Sequence, residues 1–266
     1  MDRTYLVHVP GSYMKDKPVP LVFAFHGSGG SARIMAAFYN WVPKSDHKGF
    51  IVVFPDGVRG PGGVSAWNAG DCCGYAQRAG IDDVGFVRAM LNDMKSKFDI
   101  NQSRIFATGM SNGGMFSYRL ACELPDQFKA IASVAGTDND YYCQPARPIS
   151  IMHIHAMDDE NVPFNGGSGK GLVGKTGYSF TSVPDTISKW VSIDKSGEAP
   201  QRVLNKPGAY CDLYADGLDG TQVKLCVTRT GGHSWPGGQK PRAASDAAST
   251  TFSATDVIWS FFSSQN

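Results

Sequence analysis

The stretch RIFATGMSNGGMFSYRLACELP, residues 104–125, decides the fold. Its first part, RIFATG, is a short apolar run of the kind that forms a buried strand. Its last part, MFSYRLACEL, reads as a helix that stops before Pro125. Between them lies GMSNG (109–113), which satisfies G-x-S-x-G. In a chain with 31 glycines that five-residue pattern is weak by itself. Its position between a strand and a helix gives it meaning. A nucleophile elbow needs a sharp strand-to-helix turn, with small neighbours around a serine at the head of the helix. Ser111 is therefore the candidate nucleophile.

Working outward, LVFAFHG (21–27) and FIVVFPDG (50–57) are apolar runs closed by glycine, as expected of buried parallel strands. From 81 to 98, Val84, Val87, Leu91, Met94 and Phe98 recur at steps of three and four. That spacing predicts a helix, and Asp82-Asp83 suit its N-terminal end. AIASVAG (130–136) and PISIMHIHA (148–156) read as two further strands, and TISKWVSIDK (186–195) as a helix. The pair AYCDLYA and VKLCVTR flanks ADGLDG, so 209–229 reads as a hairpin that sets Cys211 opposite Cys226. TDVIWSFFSS (255–264) predicts a closing helix with Thr255 as its N-cap. Strands alternating with helices indicate α/β class, a mainly parallel sheet covered on both faces. No internal repeat or linker divides the chain, and 1–266 reads as a single catalytic domain.

A formal net charge of +1 gives no global field to attract nucleic acid or anionic lipid. No apolar run approaches the roughly 20 residues that span a bilayer. Six cysteines in a glycine-rich chain favour an oxidising compartment, and none has zinc-site spacing. The pairing of Cys72, Cys73, Cys122 and Cys143 stays open at this point. The start MDRTYLV has no apolar core of a secretory leader, so a secreted protein would carry its leader outside this sequence.

A second motif competes. GKGLVGKT (169–176) satisfies G-x-x-x-x-G-K-[ST], the phosphate-cradling loop. Such a loop must follow a buried strand and open a helix. Here NVPFNGGS precedes it and GYSFTSVP follows, neither of them suitable, so Gly169–Thr176 is expected to be a glycine loop without nucleotide. Whether 165–180 forms a lid is not decided by composition.

A serine at an elbow needs a histidine to take its proton and a carboxylate to hold that histidine. In α/β-hydrolases the chain order is serine, acid, histidine. Of the six histidines only His233 follows all the candidate acids downstream of Ser111, and it sits in the loop TRTGGHSWPGG beyond a strand. For the acid, MDDENVP after ISIMHIHA offers Asp158 and Asp159, with Asp138 and Asp140 following the preceding strand. Spacing does not choose between Asp158 and Asp159. The oxyanion needs two N–H donors. Asn112, after the nucleophile, supplies one; the HGSGGSA loop (26–32) supplies the other through Ser28, or through Gly27 or Gly29. His26 reads as a structural loop histidine. Trp67 and Trp235 offer flat apolar surface for an aromatic acyl group, or else pack loops onto the domain.

With those residues in place, the chain resembles the polyhydroxybutyrate depolymerase and feruloyl esterase family of α/β-hydrolases, a carbohydrate-esterase family 1-like group. The resemblance is carried by LVFAFHGSGGSA, FPDGV, WNAGDCCG, DDVGFVRAM, GMSNGGMFSYRLACELPDQF, HIHAMDDENVPFNGG and GGHSWPGG, in family order through most of the chain. It implies that the acid is Asp159, three residues before Val162-Pro163-Phe164, although Ala156, Asp158 and Phe164 depart from the family pattern. It also implies an α/β-hydrolase fold, His233 as base, the HG loop as part of the oxyanion hole, and secretion in many members. The expectation is a serine carboxylic-ester hydrolase needing no metal or organic cofactor. Feruloyl esters of plant cell-wall polysaccharide come first as substrate; a hydroxyacid polyester or acetylated xylan comes next.

Overall fold

The computed structural model describes residues 2–170 and 177–265. In chain order the strands are β1 (Tyr5–His8), β2 (Val19–Phe25), β3 (Ile51–Pro55), β4 (Val58–Arg59), β5 (Ser65–Ala66), β6 (Ile100–Met110) and β7 (Ala130–Val134). They continue with β8 (Ser150–Ala156), β9 (Gly167–Ser168), β10 (Ser179–Phe180), β11 (Gln201–Lys206), β12 (Ala209–Tyr214) and β13 (Val223–Thr228). The helices are α1 (Ala32–Phe38), α2 (Trp41–Lys48), α3 (Gly74–Arg78), α4 (Asp83–Lys97), α5 (Asn112–Glu123), α6 (Val183–Asp194) and α7 (Ala254–Ser263).

Nine strands form one sheet in the order β1-β3-β2-β6-β7-β8-β13-β12-β11. The centre, β3 to β13, is parallel throughout. Both margins are antiparallel: β1 on β3, and the β13-β12-β11 meander. The central strands are buried almost end to end, as parallel strands covered on both faces must be. The two-residue periodicity of β6 splits its side chains between two cores. Ile105 and Ala107 join the layer under α4, α5 and α6, with Val87, Leu91, Phe116, Leu120 and Trp190. Phe106 and Met110 join the opposite layer, with Met35 of α1, Trp41 of α2, and Ile258, Trp259 and Phe262 of α7.

The helix expected over 81–98 is α4, capped by the Asp82 side chain on Gly85 N. The closing helix begins one residue earlier than its spacing predicts, and its cap is Ser253, whose hydroxyl accepts from Asp256 N. Thr255 is buried instead, accepting from Trp235 Nε1 at 3.0 Å and donating to Tyr39 O at 2.5 Å. Its hydroxyl is taken by tertiary partners, which removes it from capping. Cys211 and Cys226 face each other across β12 and β13 and are bonded, as the hairpin predicts. The remaining pairs are Cys122–Cys143 and the adjacent Cys72–Cys73. Most of the Gly169–Thr176 motif, including Lys175, lies outside the described residues. No described helix is long and apolar enough to cross a membrane.

Candidate active site

The candidate nucleophile, acid, base and oxyanion loop all stand at the carboxyl ends of parallel strands. Ser111 follows β6, Asp159 follows β8, His233 follows β13, and the HGSGG loop follows β2. Open α/β sheets present their sites at this edge.

The elbow is explicit in the backbone. Ser111 has φ 55° and ψ −123°, a conformation that non-glycine residues adopt at a cost of about 1–3 kcal/mol. The turn closes only because its flanks lack side chains. A β-carbon on Gly109 would run into the Gly113 backbone, and one on Gly113 into the carbonyls of Phe25 and His26. Helix α5 thus sits directly against the end of β2. Ser111 O accepts from Met115 N at 2.9 Å to begin the helix. As the first helical residue, Asn112 has an N–H with no intrahelical acceptor. Its side chain is locked by two bonds to the Trp67 backbone, Trp67 N to Oδ1 at 2.7 Å and Nδ2 to Trp67 O at 3.0 Å.

The HGSGG loop passes over the serine so closely that a β-carbon on Gly27 would lie 3.1 Å from Ser111 Cβ. Within it, Gly29 N–H donates to Ser65 O at 2.7 Å and Gly30 N–H to Gly27 O at 2.9 Å. Of the three loop donors considered from sequence, Gly29 is therefore spoken for, which leaves Gly27 and Ser28. His26 is buried and holds this loop: Nδ1 donates to Gly27 O at 2.7 Å, and Nε2 accepts from Gly57 N at 2.9 Å. Those partners fix a neutral tautomer, and burial lowers its pKa, in keeping with a structural role.

The two adjacent acids divide their work. Asp159 Oδ2 lies 2.8 Å from His233 Nδ1, while its Oδ1 accepts from Asn161 N at 2.8 Å and Val162 N at 2.9 Å. Burial by itself would raise this carboxyl. The charge of His233 and hydrogen bonds from His155 and His233 outweigh it, and the group is held below the ordinary aspartate value. Asp158 points elsewhere, accepting from Gly231 N at 3.3 Å and Gly232 N at 2.8 Å. A third carboxylate, Asp246, accepts from His233 N at 2.7 Å. Three consecutive backbone N–H groups and the imidazole of one loop are thus each anchored on an acid. Asp246 comes from the 239–249 segment, where sequence reasoning found no candidate site residue. The same segment sends Arg242 to hydrogen-bond Gly29 O. Asp138 binds Lys189 Nζ at 2.7 Å and Trp190 Nε1 at 2.9 Å, away from His233, and Asp140 carries the Lys189 contact through its carbonyl at 2.5 Å.

Ser111 and His233 line one cavity of about 170 Å³, together with Ser28, Ile34, Tyr39, Met110 and Trp235. Trp235 forms its floor, stacked on Tyr39 at 5.0 Å between ring centroids. Burial pushes the Tyr39 phenol up to about 12, so it stays a neutral hydroxyl at the cavity wall. Trp67 does not line this cavity, and of its two readings, acyl surface or loop packing, its burial fits the second. It is 0% exposed, packed on Phe25 and Phe116, with its indole N–H on His26 O at 2.9 Å. A residue that splints both the HG loop and Asn112 from beneath has no face left for a ligand.

These features define an α/β-hydrolase with a strand-end serine, histidine and aspartate. Sequence comparison agrees with that class. The prolyl oligopeptidase family (Peptidase_S9) matches residues 37–146, the part that holds the elbow. Feruloyl esterase B of Piromyces equi is 32% identical over 237 residues, covering 87% of this chain and 42% of that protein. Putative esterase NocK of Nocardia uniformis subsp. tsuyamanensis is 28% identical over 253 residues, 90% of this chain and 72% of the relative. The chain thus spans less than half the length of the first of these relatives. An acetyl xylan esterase from Aspergillus awamori has the same fold, with TM-score 0.65 at 16% identity over 97% of this chain and 93% of that one. In sequence the chain is thus similar to feruloyl esterases, and in fold to α/β-hydrolase esterases.

Proposed function

We propose that the chain is a serine carboxylic-ester hydrolase. His233 Nε2 takes the proton of Ser111 Oγ as that oxygen attacks the ester carbonyl. The tetrahedral oxyanion is held by the N–H groups of Ser28 and Asn112, in a site where such donors are worth about 3–4 kcal/mol each. His233 then returns the proton to the departing alcohol. Water, deprotonated by the same imidazole, cleaves the acyl-serine and releases the acid. Asp159 keeps His233 in the tautomer that bares Nε2 to the serine. The observation that carries this reading is the 2.8 Å contact of Asp159 with His233, in one cavity with a serine at φ 55°. Among the described residues no hydrogen bond joins Ser111 Oγ to His233, a contact that commonly tightens only with substrate bound.

For the acyl group, the reading is a hydroxycinnamoyl ester such as ferulate on plant cell-wall polysaccharide. A cavity of about 150 Å³ accepts a benzene ring, and this one, at about 170 Å³, is walled by Tyr39, Trp235, Met110 and Ile34. The feruloyl esterases among the relatives favour the same choice. Three disulfides suit a protein that works outside the reducing cytosol. The test is ferulate release from methyl ferulate by wild type and Ser111→Ala. Release by wild type alone supports both nucleophile and acyl class. Release from acetylated xylan or a hydroxyacid polyester, with methyl ferulate untouched, would keep the nucleophile and move the substrate. Equal rates in both proteins would remove Ser111 from the mechanism.

A further inference from the structure

Beside Asp159 runs a buried file of hydrogen bonds that ester hydrolysis as described above does not use. Tyr118 OH of α5 lies 2.8 Å from His153 Nδ1, His153 Nε2 lies 3.0 Å from His155 Nδ1, and His155 Nε2 lies 2.8 Å from Val162 O. The same His155 Nε2 is 3.4 Å from Asp159 Oδ2, the oxygen that faces His233. Both histidines project from β8 with their rings stacked, 5.2 Å between centroids and 5° between planes. His153 is 0% and His155 1% exposed.

The chemistry of the last acceptor orders the whole file. Val162 O is a carbonyl and can only accept, so His155 Nε2 carries a proton. A neutral His155 then accepts at Nδ1, which requires His153 Nε2 to donate and His153 Nδ1 to accept from the Tyr118 hydroxyl. Each donor therefore points along the file toward Asp159. Burial drives the His153 pKa well down, which keeps the middle ring neutral, and pushes the Tyr118 phenol well up, which keeps it a donor. The charged groups facing the file are few. Asp159 and His233 stand at one end, and at the other Asp138 stands near Tyr118, neutralised by Lys189 at 2.7 Å.

We propose that His155, oriented by His153 and Tyr118, is a positioning residue that moderates the Asp159 carboxylate and so sets the basicity of His233. The proposal rests on the catalytic reading above. With its N–H on Val162 O at 2.8 Å and the same nitrogen 3.4 Å from Asp159 Oδ2, His155 links both ends of the Asp159–Val162 turn. It also draws negative charge from the oxygen that binds His233. Without that donor, Asp159 Oδ2 is a stronger acceptor and stabilises the His233 imidazolium, so the His233 pKa rises and the base is protonated at a higher pH. If His155 itself carries a second proton, its removal takes away a positive charge and the sign is the same.

The measurement is an NMR titration of the His233 imidazole in the full chain, which needs no substrate. His155→Asn keeps an amide for His153 and loses the donor to Asp159; His155→Gln places an amide N–H near the lost Nε2. The expected result is a His233 pKa raised by about half a unit or more in His155→Asn and returned toward wild type in His155→Gln. The acid limb of kcat/KM for 4-nitrophenyl acetate moves with it, and kcat falls about tenfold while KM holds, as a small misplacement of the base costs. Should His155→Asn fail to fold, Tyr118→Phe removes only the first donor of the file and gives a smaller rise of the same sign. A His233 titration that superimposes on wild type in the folded variants overturns the proposal. Ser111→Ala, run on the same ester, separates the two readings. If it hydrolyses as fast as wild type, the catalytic reading fails, while the titration still judges the coupling between His155 and His233.

Discussion

Asp158 and Asp159 are neighbours with the same side chain, and their environments give them different work. Asp159 faces an imidazole from beneath, and Asp158 faces two backbone N–H groups of the loop that carries it. Asp159→Asn should lower kcat by about 10³–10⁴, because the amide favours the wrong tautomer of the base. Asp158→Asn should cost far less, its effect confined to loosening the loop, and steady-state kinetics on one ester would separate them. A different carboxylate governs stability. Asp194 is 0% exposed, its Oδ1 accepts from Ile149 N at 3.1 Å, and its Oδ2 has no partner among the described residues. Burial pushes its pKa up to about 7. An unfolded aspartate ionises near 3.9. Between those values the folded state holds a proton that the unfolded state has released, so stability falls as pH rises from about 4 to about 7. Asp194→Asn removes that dependence. Its melting temperature should match wild type near pH 4 and exceed it by several degrees at pH 8; equal values at both pH settings would refute the assignment.

At the scale of elements, the elbow is a contact between three pieces of backbone: β6, α5 and the end of β2. Gly113→Ala puts a methyl group against the Phe25 and His26 carbonyls. Such overpacking costs about 1–3 kcal/mol, or a melting temperature lower by roughly 5 °C in a chain of this size, together with loss of esterase activity. This element was legible in sequence because glycine at fixed offsets is a local signal, and so were the hairpin and the helix α4. The acid was not. Adjacent aspartates differ only in which way the strand end turns, and that follows from Asn161 and Val162 N–H groups closing on Oδ1. Trp67 stayed open in sequence for a related reason. Tryptophan suits a pocket and a splint equally, and only its burial against Phe25 and Phe116 tells them apart. Asp246 and Arg242 left no pattern at all, since their partners are backbone atoms outside any local motif, 13 and 213 residues away.

In the whole molecule, the catalytic groups hang from one edge of a sheet whose far margin is stapled. The Cys211–Cys226 bond closes a 15-residue separation at β12 and β13, and a loop of that size is worth about 3 kcal/mol. Replacing both cysteines by serine should lower the melting temperature by roughly 6–12 °C, measured by calorimetry without reductant. The loss should also reach activity, because β13 leads straight into His233. The 239–249 segment has a consequence of another kind. It holds the base through Asp246 and the oxyanion loop through Arg242, so displacing it releases both at once. In a double-mutant cycle, Asp246→Asn and Arg242→Ala should then fall well short of additive: whichever anchor goes first has already spent most of what the second one would cost.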